Sequence, residues 1–306
     1  MNKTSYEGIL PIHKPADFTS HDVVAKTRGI LRMKRIGHTG TLDPAVTGVL
    51  PLCLGRATRM VEYLQELPKE YEATLVLGVA TDTEDLTGSV TEKLERVQVT
   101  EAQLKEVLNR FLGTISQIPP MYSALKQNGK RLYELAREGV TVERAPREVT
   151  IYELELLHFD NSKDHPELTF RALCSKGTYI RTLCVDIGRA LGVPAAMKQL
   201  KRTMSAGITE SHCLTLEEVA VRVQNGTLQE ALLPVDEAVR HLPAHTVHES
   251  RLKGALQGQR LPRSAVEPPA APGSLFRLYS PEQVFLGIYR SDDETGTVSP
   301  VKVFLP

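Results

Sequence analysis

At 306 residues the chain is long enough for about two domains and a sizeable core. Its 37 Lys plus Arg balance 37 Asp plus Glu, giving a formal net charge of +0, so a polyanionic partner must be met through local basic patches and not through an overall field. Cys53, Cys174, Cys184 and Cys213 form no C-x-x-C pair and suit a reducing cytosol better than a disulfide framework; with no basic-then-apolar leader and no membrane-length apolar run, a cytoplasmic protein off the membrane is expected.

Gly8 to His13 is a short apolar segment ending at Lys14-Pro15. Ser20 then stands where a helix cap would, with Val23, Val24, Thr27, Ile30 and Leu31 sharing a face up to about Arg32. The opposite side carries Lys26, Arg28 and Arg32, continued by Lys34 and Arg35 with no acid between Lys26 and Arg35. Taken alone this is a solvated helix face; leading directly into the next segment, it is also where a phosphate backbone would lie.

That segment runs from Gly37 to Leu52, with Gly55 to Arg59 behind it, and its one acid is Asp43. Gly37, Gly40 and Gly48 permit backbone angles closed to other residues, and Pro44 pushes Asp43 toward an extended conformation. Leu42, Val46, Val49, Leu50 and Leu52 interleave with these turn residues, so the loop is expected to pack on a core and present a single carboxylate. Two readings are open: a functional carboxylate, or an Asp bonding its own loop backbone.

Tyr71 to Val79 reads as a strand with Tyr71, Ala73, Leu75, Leu77 and Val79 on one side. Thr81 to Gly88 is an acidic turn whose spacing is wrong for a calcium loop. Thr100 and Gln103 form a capping-box pattern for a helix burying Leu104, Val107, Leu108 and Phe111, with Gly113 as its stop. Pro119-Pro120 and Pro146 bracket an insert bearing Lys126, Lys130, Arg131, Arg137 and Arg144, with Arg147 just behind it, around a short helical pattern of Leu132, Leu135 and Ala136. It suits an arm that orders on a polyanion, and equally a surface hairpin.

Strands from Val149 to Phe159 and from Leu168 to Cys174 lead through Ser175 to Arg181 into a helix carrying Leu183, Cys184, Ile187 and Leu191. Tyr179 and Arg181 face the same way only if that junction is extended, so a joint role requires the helix to begin after Arg181. Lys198 to Arg202 is basic around Leu200, and Thr215 with Glu218 caps a helix ending near Gly226. From about Pro243 glycines and prolines punctuate short strands such as Val284 to Tyr289 and Val301 to Phe304, the texture of a small β-rich module. His241, His245 and His248 tempt a zinc assignment, but Pro243 breaks any helix that would align them and no cysteine pairs with them, so no metal is expected.

The string G-H-T-G-T-L-D-P-x-x-T-G-V-L-P-L from Gly37 to Leu52 closely resembles the signature of the TruB family, the bacterial tRNA pseudouridine-55 synthases. Lys14-Pro15, Lys69-Glu70-Tyr71, Thr81 to Asp85, Ile118 to Lys126, Cys174 to Thr182 and Leu200-Lys201-Arg202 extend the likeness in the family's order over roughly two thirds of the chain. Val46 departs from the alanine usual in the family, a small apolar change touching only local packing. The resemblance implies an α+β fold: a pseudouridine synthase catalytic domain over residues 1–242, on a mixed, mainly antiparallel sheet with flanking helices and an RNA-binding insertion at about 120–148, then a PUA-like RNA-binding domain over 243–306. It also implies isomerisation of a uridine in the T-loop of tRNA after base flipping, by a protein binding the T-arm without cofactor or guide RNA; with no long coiled-coil heptads or evident symmetric patch, a monomer is expected.

Forming pseudouridine breaks the bond from uracil N1 to ribose C1′, turns the base and rejoins it through C5. The task calls for a carboxylate near the sugar, a positive partner for it, an aromatic plate and apolar closure against water. By resemblance Asp43 is the nucleophile or base, Arg181 its ion-pair partner and Tyr71 the plate, while Tyr179 and Leu200 complete the pocket. His38 is the wedge that fills the gap left by the flipped base, and Lys14 a further substrate-binding residue. Two other readings share these residues: a synthase directed to other RNA by guide-RNA partners, and an RNA-binding or tRNA-folding module.

Overall fold

The computed structural model describes residues 6–127 and 129–304; residues 1–5 and 305–306 of the two expected domain ranges, and residue 128 of the insertion, lie outside the described residues. The elements in order are β1 (Gly8–Lys14), α1 (Ser20–Leu31), β2 (Ile36–His38), β3 (Thr47–Leu54), α2 (Val61–Glu66), β4 (Lys69–Leu77), β5 (Val79–Thr81), β6 (Val90–Lys93), α3 (Glu101–Arg110) and β7 (Gly113–Gln117). The insert contributes β8 (Lys126–Gln127), β9 (Lys130–Arg131) and α4 (Leu132–Arg137), and is followed by β10 (Arg147–Asp160), β11 (Glu167–Cys174), α5 (Ile180–Leu191), β12 (Ala195–Ser205), β13 (Ile208–Thr209) and α6 (Leu216–Asn225). Then come β14 (Ala244–Val247), α7 (Leu252–Leu256), β15 (Leu261–Pro262), β16 (Val266–Glu267), β17 (Leu275–Tyr279), β18 (Phe285–Asp292) and β19 (Thr297–Val303).

The fold is α+β. A nine-stranded sheet has the order β1-β3-β12-β4-β11-β10-β7, with β2 paired to β3 and β13 to β12. Its pairs are antiparallel except β12 with β3, so it is mixed but mainly antiparallel. A six-stranded sheet, β15-β19-β18-β17-β14-β16, follows in the C-terminal part. Among the described residues no helix is long and apolar enough to cross a membrane.

Burial explains the strand sequences. In β1 and β3, Leu10, Ile12, Leu50, Leu52 and Leu54 pack under α1 and α6, while Ile9, Val49 and Cys53 pack on the other face with Ala57, Met60 and Leu64. Strands covered on both faces read as near-continuous apolar runs, as these do. The opposite end of the sheet alternates, with Ala73, Leu75, Leu77 and Phe170 turned toward Leu104, Leu108, Leu183 and Ile187 of α3 and α5. The six-stranded sheet has its own core around Phe276, Leu278, Tyr289 and Val298, yet Ile288 and Phe304 join the cluster of Met60 and Leu64.

The helix caps at Thr100 and Thr215 are those the sequence predicts, each with its capping box, and Gly226 closes α6 in the left-handed region. At α1 the cap is Thr19 and not Ser20. Asp22 lies three residues after Thr19 and closes the box, freeing the Ser20 hydroxyl to accept the Leu42 N–H at 2.9 Å. This bond ties the start of α1 to the Asp43 loop.

A glycine is required where β3 meets β12. Gly48 pairs with Arg202 in the parallel β3–β12 register at φ +105°, and a Cβ there would lie 2.2 Å from the Arg202 carbonyl oxygen. Gly48→Ala is expected to cost about 2–6 kcal/mol, combining positive-φ strain with displacement of β12. A urea melt checks this; an unchanged midpoint would show that the two strands are not locked here.

Candidate active site

Leu42 and Val46, both buried, anchor the turn between β2 and β3, and the Val46 N–H closes it onto the Asp43 carbonyl at 3.0 Å. The Asp43 carboxylate takes no bond from its own loop; among the described residues it meets Arg181, with Nη2 to Oδ2 at 2.9 Å. This removes the reading in which Asp43 serves its loop backbone.

Arg181 is 6% exposed and its guanidinium is held from several sides. Nη1 donates to the Thr83 carbonyl at 3.0 Å, Nη2 to the Tyr122 carbonyl at 2.7 Å, and Nε lies 4.0 Å from Asp85 Oδ2. Asp85 in turn accepts the Thr83 hydroxyl at 2.8 Å and the Thr87 N–H at 3.0 Å. The acidic turn is therefore the cradle of Arg181. In sequence Asp85 falls in the Thr81 to Asp85 run but is given no role there; its signal is the dense Thr and Asp pattern of a self-bonding turn.

The helix carrying Arg181 begins at Ile180, one residue before it, contrary to the expected start after Arg181. Tyr179 and Arg181 nonetheless line one cleft. As N-cap, Tyr179 keeps extended angles (φ −96°, ψ 107°) and does not follow the helical step, while a long side chain in the first turn reaches back toward the N-terminus. Gln117 fixes this junction by accepting the Tyr179 N–H at 3.0 Å and donating to its carbonyl at 3.2 Å.

The cleft has a volume of about 700 Å³ and is lined by Asp43, Tyr71, Tyr179, Arg181 and Leu200 together, with Arg202 at their side. Tyr71 lies on β4 and Leu200 on β12, neighbouring strands in which Tyr71 pairs with Arg202 and Ala73 with Leu200. Burial pushes the pKa of the Tyr71 and Tyr179 phenols up, so both hydroxyls stay neutral. The expected dry enclosure is not present: the Asp43 side chain is 44% exposed, and protein atoms alone leave the carboxylate open to water.

Two of the expected residues lie outside this cleft. His38, on β2, is half-buried and stands edge-on to His21 with ring centroids 5.4 Å apart; the Gly40 N–H donates to its Nδ1 at 3.4 Å. Burial, with His21 beside it, lowers its pKa, so the ring is neutral. Lys14 is placed quite differently from a substrate contact. It is fully buried, and its ammonium donates to the carbonyls of Pro15 at 2.9 Å, Pro44 at 3.0 Å and Phe18. Burial lowers its pKa to about 8, and its position makes it a pin beneath the Asp43 loop.

Around the site, Lys26, Arg32 and Lys34 are exposed, whereas Arg28 and Arg35 are engaged by the Ile36 carbonyl at 3.1 Å and the Thr58 hydroxyl at 2.8 Å. The insert forms a hairpin and a short helix, with Arg131 and Arg137 lying over the Tyr133 ring at 5.7 and 5.5 Å. Among the described residues no three His, Cys, Asp or Glu side chains group as a metal site.

The family model described as TruB family pseudouridylate synthase (N terminal domain) matches residues 28–180, and that of the tRNA pseudouridylate synthase B C-terminal domain matches 181–240. A Bacillus licheniformis protein named tRNA pseudouridine synthase B is 44% identical, over 98% of this chain and 98% of its own. The Bacillus subtilis protein of the same name is 42% identical over 97% of each. Among solved structures, a Cbf5-Nop10-Gar1 complex contains a chain that superimposes with a TM-score of 0.76 at 29% identity, covering 98% of this chain and 85% of that one. An H/ACA RNP bound to a substrate RNA containing 2′-deoxyuridine gives 0.75 at 27% identity, covering 98% and 85%.

Proposed function

The chain belongs to the TruB family of tRNA pseudouridine synthases, and we propose that it isomerises the T-loop uridine of tRNA as a cytoplasmic monomer, without guide RNA or cofactor. The observation that carries this reading is the Asp43 carboxylate, 2.9 Å from a nearly buried Arg181 in the cleft that Tyr71, Tyr179 and Leu200 share. Guide-free action is supported by near full-length likeness to bacterial proteins named tRNA pseudouridine synthase B, against 29% identity to the chain of the Cbf5 complex.

A stacked uridine cannot offer C1′ and C5 to a carboxylate in a cleft, so the base must leave the RNA stack at a cost of about a few kcal/mol. Tyr71 then takes the uracil face and Leu200 and Tyr179 close around it. The flipped nucleotide itself covers Asp43, supplying the water exclusion that the open cleft lacks. Asp43 acts as nucleophile or base while the C1′–N1 bond breaks with its electron pair passing to the base. The base turns and C5 bonds to C1′ as the bond from C1′ to Asp43 breaks, or as the proton that Asp43 took returns to the sugar; N1 takes up a proton and C5 gives its proton to water. Arg181, 2.9 Å away, holds the carboxylate aimed at the sugar.

Outside the cleft, His38 fills the vacated stack, its neutral ring suited to lying among bases. The catalytic domain spans 1–242 with its RNA-binding insertion at about 120–148, and 243–306 is a PUA-like RNA-binding domain. In support, the nine-stranded sheet ends with Thr209 and the six-stranded sheet begins at Ala244. The two are clamped together by Arg59 donating to the Val303 carbonyl at 2.6 Å and by Lys302 with Glu62 at 2.6 Å.

The test is a T-arm RNA tritiated at C5 of its uridines, given to the pure protein alone. Label release is expected. Release only after guide RNA and partner proteins are added would favour the guided reading, and tight binding without release would favour a binding module. His38→Ala is expected to lower kcat/KM by about tenfold or more on folded T-arm, with a smaller loss on an unstructured strand where flipping costs little. Equal losses on both RNAs would remove the wedge role.

A further inference from the structure

Arg202 has the largest of the fully buried side chains described, 1% exposed, and among the described residues no carboxylate lies within 4.0 Å of its guanidinium. Buried cations are ordinarily paired, because dehydrating a charge is costly. Arg202 meets backbone carbonyls instead: Nε donates to Val49 at 2.7 Å and Nη2 to Gly40 at 3.4 Å. Those two carbonyls bracket Asp43, one where the chain enters the loop and one where it leaves into β3. The main chain of Arg202 pairs with Gly48 on one side and Tyr71 on the other. The loop passes so close that a Cβ on Gly40 would lie 3.4 Å from Nη1.

We propose, resting on the isomerase reading above, that Arg202 is a positioning residue for catalysis. Its guanidinium fork ties both ends of the Asp43 loop across β12 and so fixes the carboxylate relative to Arg181 and Tyr71. A planar fork spans two separated acceptors, whereas an ammonium is a single point of donation. A misplacement of about 1 Å at a reacting group costs on the order of 100-fold in rate.

The experiment compares wild type with Arg202→Met, Arg202→Lys and Arg202→Ala on tritiated T-arm RNA, reading single-turnover rate, RNA affinity and amide exchange. Arg202→Met is expected to lose about 100-fold in rate with affinity changed by less than about threefold. Amides from Thr41 to Val46 exchange faster while those of α5 do not. Arg202→Lys remains well below wild type, and millimolar methylguanidinium restores part of the rate to Arg202→Ala without affecting wild type. A wild-type rate in Arg202→Met overturns the proposal, as do equal losses of rate and affinity with exchange raised throughout the sheet. If Arg202→Met does not fold, a wild-type rate in Arg202→Lys overturns it equally. An inactive wild type overturns the isomerase reading and this one with it; an active wild type beside an active Arg202→Met overturns this one alone.

Discussion

Asp43→Asn is expected to abolish tritium release, by about 10⁴-fold or more, while T-arm RNA binds within a few-fold of wild type. The amide preserves size and shape, so the loop and its anchors Leu42 and Val46 remain in place. What disappears is the negative charge, without which the remaining amide oxygen is too weak a nucleophile and base for the proposed step. The carboxylate bonds none of its own loop and is 44% exposed, and Arg181 keeps the Thr83 and Tyr122 carbonyls and Asp85 when its nearest charge is lost, so the fold is retained. Turnover within about tenfold of wild type would remove Asp43 from the chemistry and with it the proposed mechanism.

The second large effect is expected for Arg181→Met, with kcat reduced about 10²–10³-fold and RNA affinity nearly unchanged. Methionine fills much of the volume but leaves the carbonyls of Thr83 and Tyr122 without their donor, a loss of about 1–3 kcal/mol in stability. Asp43 would then face water in place of its partner and lose its aim at the sugar. Separate measurements of single-turnover rate, filter-binding affinity and urea midpoint distinguish these effects. Equal reductions in rate and affinity would make Arg181 an RNA anchor and not the partner of a reacting carboxylate.

Much of the site was legible because its constraints are local. A lone acid among glycines and Pro44, interleaved with leucines and valines, describes a packed loop that presents a carboxylate, and the loop is built that way. The boxes at Thr100 and Thr215 were readable for the same reason, each needing residues only three apart. Ser20 was mistaken for a cap because two hydroxyls stand side by side and only Asp22 decides between them.

What remained hidden depends on contacts distant in sequence. Lys14 looks like an RNA contact until the Pro44 and Phe18 carbonyls are seen closing over it. Asp85 looks like part of an acidic turn until Arg181 is seen beside it, and Arg202 like a surface base in a strand until β12 is found inserted in the sheet. Hydrophobic periodicity predicts strands, but not that a strand near residue 200 will separate two that precede residue 80.

That insertion also shapes how the protein is made. On the ribosome β3 and β4 emerge early, yet each finds its shared neighbour, β12, only when Ser205 has been synthesised, roughly ten seconds later at ordinary elongation rates. Until then the edge of β4 that β12 will take is unpaired, the kind that invites association with other chains, whereas on β3 only Thr47 and Gly48 await β12 and β2 already pairs with Leu52, Cys53 and Leu54. The residues 78–194 produced in the interval include α3, α5 and the strands beyond β4, which cover one of those strands before its partner arrives. Asp43 and Tyr71 can therefore share one cleft only once β12, which lies between their strands, has been made.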